Sequence, residues 1–125
     1  MTTQALTSEC QMILFKPQGC IDLQGGIDLT EKMARVVPQH DQFWVIDLED
    51  VDFMDSCGLV TLVKGLKNAR QSGCRLVLCH VQAPVRLILE LTRLDTVFEI
   101  FPTYEDILTS IKHKSQIVAS FSTPH

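Results

Sequence analysis

The chain has 125 residues, enough for one domain, because a second core would need roughly 50 residues of its own. Hydrophobic residues make up 46% and charged residues 21%, an ordinary globular composition that excludes wholesale disorder. Lys and Arg number 11 against 15 Asp and Glu, and the resulting charge of -4 argues against electrostatic binding of nucleic acid.

Met12 to Phe15 is a short apolar run stopped by Lys16-Pro17, and reads as a strand. Gly19 to Leu23 reads as a second short strand ahead of Gly25-Gly26. Asp28-Leu-Thr-Glu31 has capping-box spacing, which predicts a helix with Asp28 as N-cap, ending before Pro38. Phe43 to Leu48 (FWVIDL) is nearly all apolar and predicts a strand buried on both faces, with Asp47 as its polar exception.

Asp55 opens the clearest helix, with Leu59, Leu62, Val63, Leu66 and Ala69 on one stripe and Gly73 as a stop. Arg75 to Cys79 is again strand-like. Ala83-Pro84 opens a further helix whose inner face is Val85, Ile88 and Leu89. Val97 to Phe101 reads as an edge strand, and Thr103 to Asp106 as a capping box with Asp in place of Glu. Tyr104, Ile107, Leu108 and Ile111 give the last helix its stripe, and the pattern fades from about Lys114 into a loose tail. The order β-β-α-β-α-β-α-β-α predicts one α/β domain over residues 1–125, with an ordered core at about 12–112. Right-handed crossovers place the loop after Phe43–Leu48 at the carboxyl edge, where such sheets meet ligands and partners.

No stretch approaches the roughly 18 apolar residues of a membrane span. Met1 to Cys10 carries no basic segment followed by an apolar block, so no secretory signal is expected and the cytoplasm is the expected location. Cys10, Cys20, Cys57, Cys74 and Cys79 are odd in number and irregularly spaced, which predicts reduced, partly buried thiols rather than a disulfide framework.

The segment Asp47 to Asp55 holds five carboxylates in nine residues. It lacks the Gly and terminal Glu of an EF-hand loop, and reads as a solvated acidic loop followed by an Asp55 N-cap. Ser56 sits in the first helical turn, where free N–H groups and the dipole favour an anion, so its hydroxyl is a reasonable phosphoryl acceptor; position alone favours the other reading, a helix-start Ser that only hydrogen-bonds locally. Ser56, Asp95 and His113 follow the chain order of a hydrolase triad, but the G-x-S-x-G elbow is absent. Cys57 could be a thiolate activated by the helix N-terminus, although a packed thiol fits its neighbours better. His40, His80, His113 and His125 show no ligand spacing.

Val45-Ile-Asp-Leu48, followed by Val51-Asp-Phe-Met-Asp-Ser-Cys-Gly-Leu59, resembles the signature of the STAS domain. More narrowly, it resembles the anti-sigma-factor antagonists of bacterial partner-switching systems. Gly19-Cys-Ile-Asp22, Gly73 to Cys79, Val81 to Leu94 and Val97 to Phe101 extend the resemblance over residues 12–112. The resemblance implies a small, mixed but mostly parallel sheet with about four helices packed on it. It implies a non-enzymatic switch that binds a serine kinase doubling as an anti-sigma factor, and is released on phosphorylation of Ser56. A PP2C-type phosphatase would reverse that step. Asp22 and Asp55 match acidic positions near the acceptor, and Asp22, Asp55, Ser56, Cys57 and Gly58 form the implied partner surface. No catalytic residue, metal or cofactor is expected, and neither nucleic acid nor membrane is an expected partner.

Two departures from the family pattern stand out: Cys57 replaces a second Ser, and Cys20 replaces a Glu. Arg93 stands where the helix segment has Gly, which predicts a different local turn. Two rival readings remain. One is a STAS subunit of a transporter or stress-signalling complex that uses the same surface without phosphorylation. The other is a small hydrolase using Ser56 or Cys57.

Overall fold

The computed structural model describes residues 12–39 and 41–111, so the expectations for Cys10, His40, His113, His125 and the tail lie outside the described residues. The elements in order are β1 (Met12–Phe15), β2 (Gly19–Ile21), α1 (Leu23–Ala34), β3 (Phe43–Asp47), β4 (Val51–Met54), α2 (Ser56–Gln71), β5 (Arg75–Cys79), α3 (Ala83–Leu91), a 3-10 turn (Leu94–Thr96), β6 (Glu99–Phe101) and α4 (104–111).

β1, β3, β5 and β6 form one sheet in that order, and β2 pairs with β4 in a separate ladder; every described pairing is parallel. β3 is buried along its whole length, as its apolar run implies. Alternate side chains divide two cores between the faces of the main sheet. Trp44, Ile46, Leu76 and Leu78 pack with Leu29 and Met33 of α1 and Leu62 and Leu66 of α2. Phe43, Val45, Val77 and Cys79 pack with Ile107 and Ile111 of α4. Each fully buried Leu or Ile contributes about 1.5–3 kcal/mol, so these two layers dominate the folding energy.

Thr103 caps the last helix as its spacing implies. The Thr103 hydroxyl accepts the Asp106 backbone N–H at 3.1 Å and donates to the Asp106 carboxylate at 3.0 Å. α3 carries its Pro in the first turn and buries Val85 and Leu89.

Two expectations need correction. α1 starts at Leu23, not after Asp28, and β2 ends at Ile21. Asp22 is the true N-cap: its carboxylate accepts the Gly25 N–H at 2.9 Å. Asp28 is an exposed mid-helix residue that accepts from Gln24 Nε2 at 3.0 Å. Gly25-Gly26 therefore lies inside the helix, and a Cβ on Gly26 would overlap the Thr61 hydroxyl of α2. Gly26 lets the two helices approach closely, and Gly25 lets the first turn of α1 sit against the Cys20 carbonyl of β2; these packing reasons outweigh the roughly 1 kcal/mol helix penalty of Gly.

The acidic segment after β3 is not a loop throughout. Val51 to Met54 forms β4, with Val51 and Met54 fully buried and Asp52 and Phe53 outward. Its two buried residues are spaced by three and the apolar Phe53 points outward, so the segment lacks the alternation that marks a half-buried strand. Arg93, after α3, adopts the left-handed conformation (φ 63°), which a non-glycine residue rarely takes.

Candidate functional site at the ends of β2 and β4

β2 and β4 run parallel with Ile21 opposite Met54, so the residues that follow them, Asp22 and Asp55, emerge at the same edge. The Asp55 backbone N–H donates to the Ile21 carbonyl at 3.3 Å and ties the two chain exits together. Each carboxylate then caps a helix. Asp22 caps α1, and Asp55 Oδ1 accepts the N–H groups of Cys57 at 2.9 Å and Gly58 at 3.2 Å. Both helices thus begin side by side.

Ser56 is the first residue of α2 and is exposed. Its neighbour Cys57 is exposed too, which overturns the expectation of a packed thiol. The helical phase explains this. Gly58, Thr61, Leu62, Gly65 and Leu66 face inward, leaving residue 57 on the flank turned toward α1. Gly58 is buried, and a Cβ there would overlap the Ile21 carbonyl oxygen and the Met54 side chain. The helix start is therefore seated directly on the β2–β4 ladder. An open cleft of about 420 Å³ runs between the helices, with Leu23, Ile27 and Thr30 on one wall and Ser56, Val60 and Lys64 on the other. Its apolar members Leu23, Ile27 and Val60 are 65%, 43% and 50% exposed, an unusual exposure for such residues.

The edge is negatively charged. Cys20 precedes it on β2, and loss of hydration, then Asp22, Asp55 and Asp52, push its thiol above the usual range. Asp47 and Glu49 belong to a different place. Asp47 is buried, accepts the Glu49 N–H at 2.9 Å and lies 3.1 Å from His80 Nδ1. Lys16 pairs with Glu49 at 3.3 Å and Asp50 at 3.8 Å. These bonds raise the Lys16 ammonium above its usual range, chiefly through the Glu49 hydrogen bond. The acidic run is thus dispersed: one buried residue, one ion-paired turn, one exposed strand residue and one helix cap.

A family model for the STAS domain matches residues 5–107. The chain belongs to the STAS domain family. BtrV of Bordetella bronchiseptica, provisionally named an anti-sigma factor antagonist, is 26% identical over 101 residues, 81% of this STAS protein and 87% of BtrV. The crystal structure of an anti-sigma factor antagonist from Mycobacterium paratuberculosis superposes with a TM-score of 0.64 at 28% identity, covering 81% of this chain and 86% of that one. The SulP transporter STAS domain of Vibrio cholerae superposes with a TM-score of 0.69 at 14% identity, covering 91% and 98%. The transporter likeness is one of fold alone.

The STAS protein is similar to anti-sigma factor antagonists and is not an enzyme. The hydrolase reading falls accordingly. Asp95 lies on the 3-10 turn feeding the start of β6, whereas Ser56 follows the end of β4, and His113 lies outside the described residues. No helix among the described residues is long and apolar enough to cross a membrane.

Two features escaped the sequence reading. The capping-box spacing at Asp28 points to a helix start beyond Leu23 and Ile27, which hides these two as residues of a helix face. Asp47 lies 32 residues from Cys79 and 33 from His80 in the chain, so no local pattern joins them; the paired ends of neighbouring strands do.

Proposed function

We propose that this STAS protein is a phospho-switch of the anti-sigma-factor-antagonist kind. Its unphosphorylated surface at Asp22, Asp55, Ser56, Cys57 and Gly58 binds a serine kinase that doubles as an anti-sigma factor. Phosphorylation of Ser56 releases the partner, and a PP2C-type phosphatase resets the switch. The observation that carries this reading is the exposed Ser56 at the start of α2, beside the paired caps Asp22 and Asp55 and a cleft with apolar walls.

The physics follows from that placement. The cleft residues Leu23, Ile27 and Val60 offer a partner apolar contact around a hydroxyl that can be modified. Phosphorylation adds about -1.5 to -2 charge at pH 7. Within the free protein the helix dipole favours that charge by about 0.3–1 kcal/mol. Asp55 already occupies the N–H groups of Cys57 and Gly58, and its carboxylate repels the phosphate, so the two effects oppose each other. Folding stability should change little. An interface that buries the dianion unpaired loses several kcal/mol. A loss of about 4 kcal/mol weakens binding roughly a thousandfold.

The test is calorimetry of phosphorylated and unphosphorylated protein against the host's candidate kinase, with intact-mass mapping of protein isolated from that host. Ser56→Ala should bind constitutively and accept no phosphate, and Ser56→Asp should bind poorly. Equal affinity of both forms would leave Ser56 a helix-start serine. Binding that never depends on phosphate would favour the non-phosphorylated interaction module.

A further inference from the structure

The register of the main sheet pairs Asp47 of β3 with Cys79 of β5, the last residues of two central parallel strands. Paired residues of adjacent strands share a face, so carboxylate and thiol lie on one side of the sheet. Adjacent residues of a strand point to opposite faces, and His80 would normally turn away from Cys79. It does not, because His80 leaves the strand in a left-handed conformation (φ 53°). The imidazole swings back: Nδ1 is 3.1 Å from Asp47 Oδ1 and 3.9 Å from Cys79 Sγ. The three donor atoms lie within 4.8 Å of one another, and among the described residues no other trio of such groups does so.

We propose that Asp47, Cys79 and His80 form a binding site for a thiophilic divalent transition cation, zinc-like in its preference, with an open fourth position. Tetrahedral zinc bonds of about 2.0–2.2 Å to nitrogen or oxygen and about 2.3 Å to sulfur place ligand atoms roughly 3.3–3.6 Å apart. The observed separations need only small side-chain rotations to match. Binding replaces the Cys79 thiol proton, which leaves to solvent, with the metal. The proton of the His80–Asp47 hydrogen bond passes to His80 Nε2, which faces outward as the N–H of a neutral imidazole, and Nδ1 and the carboxylate each take a metal–ligand bond in its place.

The surroundings hold these donors rather than leaving them on a mobile surface. Cys79 is fully buried and Asp47 is 6% exposed. The Leu48 N–H donates to the Cys79 carbonyl at 2.9 Å and locks the two strand ends. The Glu49 N–H donates to Asp47 Oδ1 and sets the carboxylate plane, while Gln82 Nε2 donates to the Glu49 carbonyl at 2.8 Å from the next loop. Such supporting bonds orient ligands in metal sites. His80 is partly exposed, which supplies the route of entry. The site uses β3 and β5, not the β2–β4 edge, and does not depend on the switch.

The test uses the full chain carrying Cys10→Ser, Cys20→Ser and Cys57→Ser, which leaves Cys79 and the buried Cys74 as its thiols, and the Cys79→Ala variant separates the two. Cobalt(II) is titrated while the thiolate-to-cobalt absorption is followed, and zinc(II) is then added. One cobalt per chain is expected, with a dissociation constant of about 10 μM or tighter, displaced by one equivalent of zinc. Asp47→Asn and His80→Ala should each weaken binding at least about tenfold, and Cys79→Ala should abolish the band. Circular dichroism checks each fold. If the buried Cys79→Ala variant fails to fold, the partly exposed His80→Ala decides the matter. No band at millimolar cobalt, or an unchanged affinity in His80→Ala, would overturn the proposal.

Discussion

Asp22 and Asp55 are structural twins: each follows the end of one strand of the β2–β4 ladder, and each caps the helix that begins there. The hydrogen bond from the Asp55 N–H to the Ile21 carbonyl fixes them side by side. On the proposed switch, the capping carboxylate and the partner-recognising carboxylate are the same group, and mutation can separate the two roles.

Asp22→Ala removes the cap of α1 and should cost about 1 kcal/mol, lowering the melting temperature by roughly 4 °C. Asp22→Asn keeps a capping oxygen and should hold stability near wild type. On the proposed switch, both variants should slow phosphorylation of Ser56. Stopped-time phosphorylation by the cognate kinase, with thermal melts alongside, is the measurement; a wild-type rate for the Asn variant would remove any role for the charge.

Gly58→Ala should be among the most damaging single methyl additions in the chain. The new Cβ would collide with the Ile21 carbonyl and Met54, and backbone on one side cannot rotate away. Overpacking of this kind costs about 1–3 kcal/mol or more. Urea unfolding should show a lower midpoint with an unchanged slope, and a midpoint equal to wild type would mean that α2 can lift off the ladder freely.

Cys57→Ser should be nearly neutral for folding, within about 0.5 kcal/mol, because the thiol is exposed. A thiol reagent followed by peptide mapping should label Cys20 and Cys57 in the native protein. The buried Cys74 and Cys79 should react only on unfolding. Protection of Cys57 in the native state would restore the packed-thiol reading.

Alkaline pH should weaken the fold through Cys79. Burial, then the charges of Asp47, Glu49 and Glu105, push this thiol up from 9.0 to about 12. The neutral thiol is favoured in the folded state, so the stabilisation is complete below pH 9 and is lost progressively as pH rises toward 12. Released thiolate in the unfolded chain drives the loss, with a slope of at most about 1.4 kcal/mol per pH unit. Melting curves of wild type and Cys79→Ala across this window should converge as pH rises. Parallel curves would show that the thiol titrates alike in both states.

The sequence alone determined the fold class, the position of every main-sheet strand and the helix start at Asp55–Ser56. These rest on local signals: the unbroken apolar run of β3, the period of α2, and a capping carboxylate next to its helix. What it could not decide were the features set by distant contacts. Asp22 outcompeted Asp28 as a cap because α1 must start where β2 ends, close against Thr61, and the competing capping-box spacing is equally good locally. β4 became a strand because β2 offers it a ladder, not because its sequence alternates. Cys57 faces outward because packing of Gly58 on Ile21 sets the rotation of α2. Asp47, Cys79 and His80 meet because parallel register aligns two strand ends 32 residues apart and a left-handed residue redirects the last side chain. Register and helix rotation are properties of the packed pair, and no single segment encodes them.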